Sequence, residues 1–266
     1  MTNATTARLP VVFFGHGSPM NALEENVYTK AWREVGARVG KPRAILAISA
    51  HWTTHGTKVT AMPAPRTIHD FGGFPQALFD VQYPAPGDPQ LATHIRSLLA
   101  PLDVQLDHEW GLDHGTWSVL VKAYPDADVP VLQLSLDMTQ PPTFHLELGR
   151  RLSVLREQGV LIMATGNVVH NLRTLQWHTK GGADWAARFD ARIRSHLEKG
   201  EVEALADTSG WDEDARRSVP TIEHYLPLLV IAGARHEDEP FEIVSEGLEM
   251  GSISMLSVAA GLKTFR

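Results

Sequence analysis

The chain contains no cysteine, which removes disulfides and thiolate metal sites together. Any transition-metal centre must therefore use His, Asp, Glu and water, the donor set of mononuclear iron and catalytic zinc. Long apolar runs are also missing, since none approaches the ~20 residues needed to span a bilayer. The amino end, MTNATTARLPVVFF, has neither the basic n-region nor the long apolar h-region of a secretory signal. The expectation is a soluble, cytoplasmic protein with no membrane partner. A basic stripe is lacking too: the formal net charge is −7 and the basic residues are scattered, which argues against nucleic acid as a partner. There is no internal repeat and no low-complexity tract. GxSxG, GxGxxG and Walker patterns are all absent, which weakens Ser18 as a nucleophile and Gly15–Gly17 as a phosphate cradle.

What is present is an ordinary globular balance over 266 residues, 43% hydrophobic and 21% charged. That length suffices for one large domain or two small ones. No interdomain linker is visible, so a single domain over 1–266 is expected. Short β-branched runs predict strands at Pro10–Phe14, Arg43–Ser49, Lys58–Met62, Val104–Leu106, Pro130–Leu136, Val160–Thr165, Phe241–Val244 and Ile253–Val258. Amphipathic stretches between them predict helices near Asn26–Val39, Pro89–Leu99, Thr116–Ala123, Pro142–Gln158, Asp184–Glu198 and Glu223–Ala232. This alternation implies βαβ units. The fold class is α/β, with a mainly parallel or mixed central sheet flanked by helices and an active site at the carboxyl ends of the strands. Pro63–Gly87, crowded with Pro, Gly and aromatics, reads as a long ordered loop of the kind that walls a binding site. Polar Gly200–Ser218 is expected to be irregular and at the surface.

Of thirteen histidines, several fall in turns that follow apolar runs. These are His16 in VVFFGHGSP, His51 in AILAISAHW, His114 in GLDHGTW and His170 in VLIMATGNVVHN. In an open α/β sheet such turns line the ligand crevice, and imidazole is both the commonest metal ligand and the best proton carrier near neutrality. Asp113 or Thr116 could cap the helix that begins near His114. His224 opens an apolar helix beside Glu223, and adjacent helical residues diverge by about 100°, so only one of them faces a given site. His55 is expected to be exposed. The pair His69–Asp70, in TIHDFGGFP, reads as a substrate contact or as a staple for its loop. His94, His108, His145, His178, His196 and His236 read as solvated or structural. Taken singly, each of the first five histidines could equally be a hydrogen-bonded structural residue; their recurrence at strand exits favours a metal centre with its own acid–base groups.

In order along the chain, GHGSPMNAL, SAHW, HDFGGFP, LDHGTWSVL, YPDADVPVLQLS, GNVVHNLR, EHYLPLL and EMGSISMLS resemble the LigB-type (class III) extradiol ring-cleavage dioxygenases, in the DOPA extradiol dioxygenase-like branch. The matching runs extend from about Phe13 to Ser257. The resemblance implies a single LigB-like catalytic domain and one divalent metal held by His16, His51 and His224. Fe²⁺ would be the working ion and Zn²⁺ a plausible occupant. It further implies His170 as catalytic base and His114 as a second active-site imidazole. Protocatechuate-cleaving relatives use two histidines and a glutamate, whereas the third position here corresponds to His224. A catechol and O₂ would be the small-molecule partners, with the protein a monomer or small homo-oligomer. Two other readings fit the same residues: a zinc-dependent hydrolase on this fold, and a non-catalytic metal- or partner-binding member.

Overall fold

A computed structural model describes residues 8–177 and 179–262 of the chain. In chain order its elements are β1 (Val11–Gly15), α1 (Val27–Val39), β2 (Ala44–Thr54), β3 (Thr57–Thr60), α2 (Gln76–Phe79), α3 (Pro89–Leu98) and β4 (Val104–Asp107). There follow α4 (His114–Ala123), β5 (Val131–Asp137), α5 (Pro142–Leu152), β6 (Val160–Gly166), α6 (Asp184–Lys199), α7 (Val202–Ala206), α8 (Glu213–Ser218) and α9 (Leu226–Ala234). The chain ends in β7 (Phe241–Ser245), β8 (Leu248–Glu249), β9 (Ile253–Ser254) and β10 (Ser257–Ala260).

Eight strands form one mixed sheet in the order β4-β3-β5-β2-β6-β1-β10-β7. The centre, β5-β2-β6-β1, is parallel throughout, while β10 and β7 add antiparallel pairings at one edge. A parallel sheet is covered on both faces, which explains the unbroken apolar runs of its strands. Alternate residues feed the two sides. Phe13, Leu46, Leu134 and Ile162 pack towards α3, α5, α6 and α9, and Phe14, Ile45, Val131 and Met163 pack with Trp32 of α1 and Trp117 of α4. Helix starts follow local chemistry: the Asp88 carboxylate accepts from the Leu91 amide ahead of Pro89, and Asp113 accepts from the Thr116 amide at the head of α4.

Four expectations change. Gly200–Ser218 lies at the surface as expected but is not irregular: it forms α7 and α8, which bury Val202, Leu205, Ala206 and Ala215 on one face, because their spacing gives two short amphipathic turns. The strand expected over Ile253–Val258 divides, with β9 pairing β8 and β10 pairing β1. The helix expected over Pro142–Gln158 becomes 3₁₀ from Ser153 onward. Finally, α9 starts at Leu226, with Pro227 in its first turn, and His224 lies in the preceding turn. The His224 carbonyl is engaged by the Asn167 amide at 2.9 Å, which ties that turn to the end of β6. His178 lies outside the described residues.

Helices α5 and α9 touch through glycine. A Cβ on Gly233 would lie 1.9 Å from the Leu146 carbonyl oxygen, and one on Gly149 would lie 2.1 Å from that of Val230. Gly233→Ala is therefore expected to cost about 2 kcal/mol, since overpacking a close helix contact outweighs the propensity gained; urea unfolding measures it, and an unchanged midpoint would refute the contact.

His145, on α5, has no exposed surface. Burial, partly offset by Asp137, pushes its imidazole down to about 4. The unfolded chain takes up this proton near pH 6.5 while the folded chain resists until about 4. The ring's contribution is thus complete above pH 6.5 and is lost as pH falls towards 4, by about 3 kcal/mol over the whole window. His145→Leu should show a shallower fall in urea midpoint between pH 7 and pH 5 than the wild type; parallel slopes would contradict this.

Candidate metal centre

Three of the histidines read from the sequence sit at one edge of the parallel strands. His16 follows β1 directly, with its amide bonded to the Gly166 carbonyl at 3.1 Å. Gly17 next to it takes a left-handed φ of +60°, and a Cβ there would strike Met255 Sδ at 2.4 Å. Hence glycine is required in this turn. His51 lies within β2 rather than after it, where the register against β5 shifts between Ile48 and Thr53. Such a bulge re-aims side chains. His170 lies four residues beyond β6, its amide bonded to the Ser218 carbonyl at 2.9 Å.

Two further histidines arrive from helix starts. His114 opens α4, whose head is fastened by Asp113. That carboxylate accepts from Ser49 Oγ at 2.7 Å and from Gln133 Nε2 at 2.6 Å, tying α4 to β2 and β5. Burial, then Asp70, raises the Asp113 carboxyl pKa, and the Gln133 and Ser49 contacts offset part of that rise. Gly115 permits the close seat, because a Cβ would lie 2.6 Å from Ser49 Oγ and 2.8 Å from His51 Cδ2. His224 comes from the turn before α9, with its Nδ1 3.1 Å from Glu223 Oε1. Glu223 thus lies behind the ring of His224, while that ring lines the cavity.

The five imidazoles converge. His16 Nε2 and His51 Nε2 are 3.2 Å apart, close to the roughly 3 Å between neighbouring nitrogens on a metal with ~2.0–2.1 Å bonds. Ring centroids of His16, His51 and His224 are 5.0 to 5.5 Å from one another, and donor atoms of all three lie within 4.8 Å. His224 Nε2 is buried without a hydrogen-bond partner, a costly arrangement unless a ligand takes its lone pair. His170 stacks on His224 at 3.5 Å with a 9° tilt, and His114 lies 3.9 Å from His51. Two overlapping groups, His51–Asp70–His114 and His170–Glu223–His224, also bring donors together.

Burial keeps His16, His51, His170 and His224 neutral. Burial, and then the neighbouring imidazoles, depress His16 and His224 well below the usual histidine range. Burial lowers His51 to about 3 and His170 to about 4. A neutral imidazole has a lone pair for a metal or a proton, so the donor set fits a divalent ion. Burial pushes the Asp70 carboxyl up, but His114 and His51 pull it further down, leaving it below the ordinary value.

The cavity above the histidines has a volume of about 530 Å³, within the range of small-molecule sites. Its far wall is apolar: Phe71 and Phe74 come from the aromatic loop expected to wall a site, whereas Leu175, Trp177, Met250 and Ile253 were not singled out from the sequence. For these later residues the signal was a Trp in the polar stretch after His170; Trp177 is 67% exposed, at the cavity mouth. His69 differs from its expected place. It is not in the wall; its ring packs on Phe71, Phe79 and Trp117 and its Nε2 bonds the Val81 carbonyl at 2.9 Å. His55 is exposed as expected. A larger cleft of about 760 Å³ near Arg150, Glu203 and Arg235 holds side chains that largely pair among themselves, as Arg150 does with Glu203, and it lacks a convergent donor set. Among the described residues, no helix is long and apolar enough to cross a membrane.

Known proteins bear on this arrangement. The family profile described as "Catalytic LigB subunit of aromatic ring-opening dioxygenase" matches residues 10–261. The chain is 52% identical over 261 residues to the 4,5-DOPA dioxygenase extradiol of Escherichia coli K12, covering 97% of this chain and 96% of that one. It is 37% identical over 250 residues to the 4,5-DOPA dioxygenase extradiol of Beta vulgaris, covering 91% and 92%. A crystal structure of an uncharacterized protein from Escherichia coli K12 superposes with a TM-score of 0.84 at 47% identity, covering 96% of this chain and all of the other.

Proposed function

The chain belongs to the LigB family of aromatic ring-opening dioxygenases, and on that premise we propose that it opens a DOPA-like catechol using one divalent metal held by His16, His51 and His224. As an extradiol enzyme it consumes a small aromatic substrate and O₂. The carbon–carbon bond broken lies beside the diol, not between the hydroxylated carbons. The observation that carries the ligand assignment is the convergence of three neutral imidazoles, two buried and His51 partly so, with His16 Nε2 and His51 Nε2 3.2 Å apart. Iron(II) bound there supplies the one-electron chemistry by which a closed-shell catechol reacts with triplet dioxygen. Zinc competes for the same nitrogens, so isolated protein is expected to carry it without opening rings. A reducing cytoplasm suits this site, because it keeps iron ferrous.

The remaining residues divide the proton work. His170, neutral because burial lowers it to about 4, has a lone pair with which to take a phenolic proton. The anion formed beside it then favours the imidazolium. His114, on the other side of His51, hydrogen-bonds substrate or dioxygen-derived oxygens as negative charge develops there. Three neutral ligands leave the ion's full charge to be balanced by the substrate's oxygens, which favours a bidentate catecholate over a single phenol. The apolar wall, with Trp177 at the mouth, packs the ring and its substituent and excludes water.

Fe²⁺-loaded protein mixed with a catechol and oxygen should give a yellow ring-opened semialdehyde, and zinc-loaded protein should not. His170→Ala should retain one metal ion per chain and lose at least about 100-fold in kcat. Ala substitutions at His16, His51 or His224 should lose the ion, measured by metal analysis after dialysis. Loss of metal from His170→Ala would make His170 a ligand, and failure of iron-loaded protein on every catechol would defeat the substrate assignment.

A further inference from the structure

Asp70 sits on the glycine- and aromatic-rich loop between β3 and α2, and that loop is laid against the chain leading into α4. The Ile68 amide donates to the Leu112 carbonyl at 2.7 Å, and the Leu112 amide donates to that of Arg66 at 2.8 Å. Trp117 Nε1 of α4 donates to the Ile68 carbonyl at 2.8 Å. His69 then locks onto Val81 at 2.9 Å, which turns the next residue towards the histidines. Asp70 Oδ1 accepts the His114 amide at 2.9 Å and is 3.0 Å from His114 Nδ1, a buried nitrogen that makes no well-angled hydrogen bond. Its Oδ2 lies 3.6 Å from His51 Nδ1. A carboxylate at the first residue of a ten-residue helix is also favoured by the helix dipole.

We infer that Asp70 is a positioning residue for ring opening: by accepting Nδ1–H of His114 it fixes that ring's tautomer and plane, so that Nε2 faces the cavity as an acceptor for a substrate hydroxyl and, once it holds that proton, as a donor to the oxygens on which negative charge develops. This rests on the role proposed for His114. It converts the loop residue expected to touch substrate into one that acts through an imidazole, in the way that outer carboxylates orient metal-site and catalytic histidines. The alternative is that Asp70, His51 and His114 hold a second cation, since their donors lie within 4.8 Å of one another. Against it, Oδ1 already accepts an amide proton, and a small turn of the His114 ring would bring its buried, otherwise unpartnered Nδ1–H, 3.0 Å away, onto the same oxygen. The contact with His51 is longer, so the main effect falls on His114.

The test has two arms. Nitrogen-15 histidine NMR of zinc-loaded wild type, which is diamagnetic, should show His114 as the Nδ1–H tautomer. Asp70→Asn should shift it towards Nε2–H or a mixture. In iron-loaded protein, Asp70→Asn should lower kcat at least tenfold with KM within about twofold and one ion still bound, and it should add nothing in a His114→Ala background. An Nε2–H tautomer in the wild type overturns the inference, as do multiplicative effects of the two substitutions. Metal loss on Asp70→Asn, or two ions per wild-type chain, would make Asp70 a ligand and overturn it equally. The NMR arm uses the wild type and no turnover, so it decides the positioning role even if Asp70→Asn fails to fold or no catechol is opened.

Discussion

Five imidazoles packed into one buried cluster can coexist only if nearly all of them stay uncharged. Two imidazoliums at the 5.0 Å separation of His51 and His224 would repel by about 3 kcal/mol even at an effective dielectric of about 20. Burial adds its own penalty on each charge. The cluster is therefore a set of lone pairs awaiting a cation or a proton, and the rest of the architecture serves to hold those lone pairs in place. Buried nitrogens without partners, such as His224 Nε2, carry a cost that a ligand removes.

The parallel strands provide the frame. Adjacent parallel strands β1, β6 and β2 end at one edge, so His16, His51 and His170 converge without any long excursion of chain. The two remaining rings are brought in by helix starts, and each start is fixed by a polar contact. Asp113 joins α4 to β2 and β5, and the His224 carbonyl accepts from Asn167 just beyond β6. Glycine enters where these elements nearly touch, as at Gly115 against Ser49 and His51. The same economy of contact holds α5 against α9 on the opposite face.

Around this polar floor the wall is apolar, and it comes from three segments far apart in sequence: Phe71 and Phe74 of the β3–α2 loop, Leu175 and Trp177 after His170, and Met250 and Ile253 near β8 and β9. A site built this way favours a planar aromatic ring lying over the histidines. The His69–Asp70 pair shows how local sequence divides its tasks. One residue staples the loop, and the other reaches the imidazoles.

The sequence by itself determined the α/β alternation, the parallel core and the family. Buried parallel strands need continuous β-branched runs, and strand-exit turns such as GHGSP and GNVVHN combine glycine or small polar residues with histidine. It also located the five histidines, because a chain without cysteine leaves nitrogen and oxygen donors as the only ones for a transition metal. Only the tertiary structure decided that His224 precedes its helix, that Glu223 lies behind it, that His69 faces away while Asp70 faces in, and that α7 and α8 each bury one face. These depend on pairings between residues tens to hundreds of positions apart, such as Asn167 with His224 and Asp70 with His114. No local pattern of residues encodes them; they follow from which surfaces pack together once the sheet has formed.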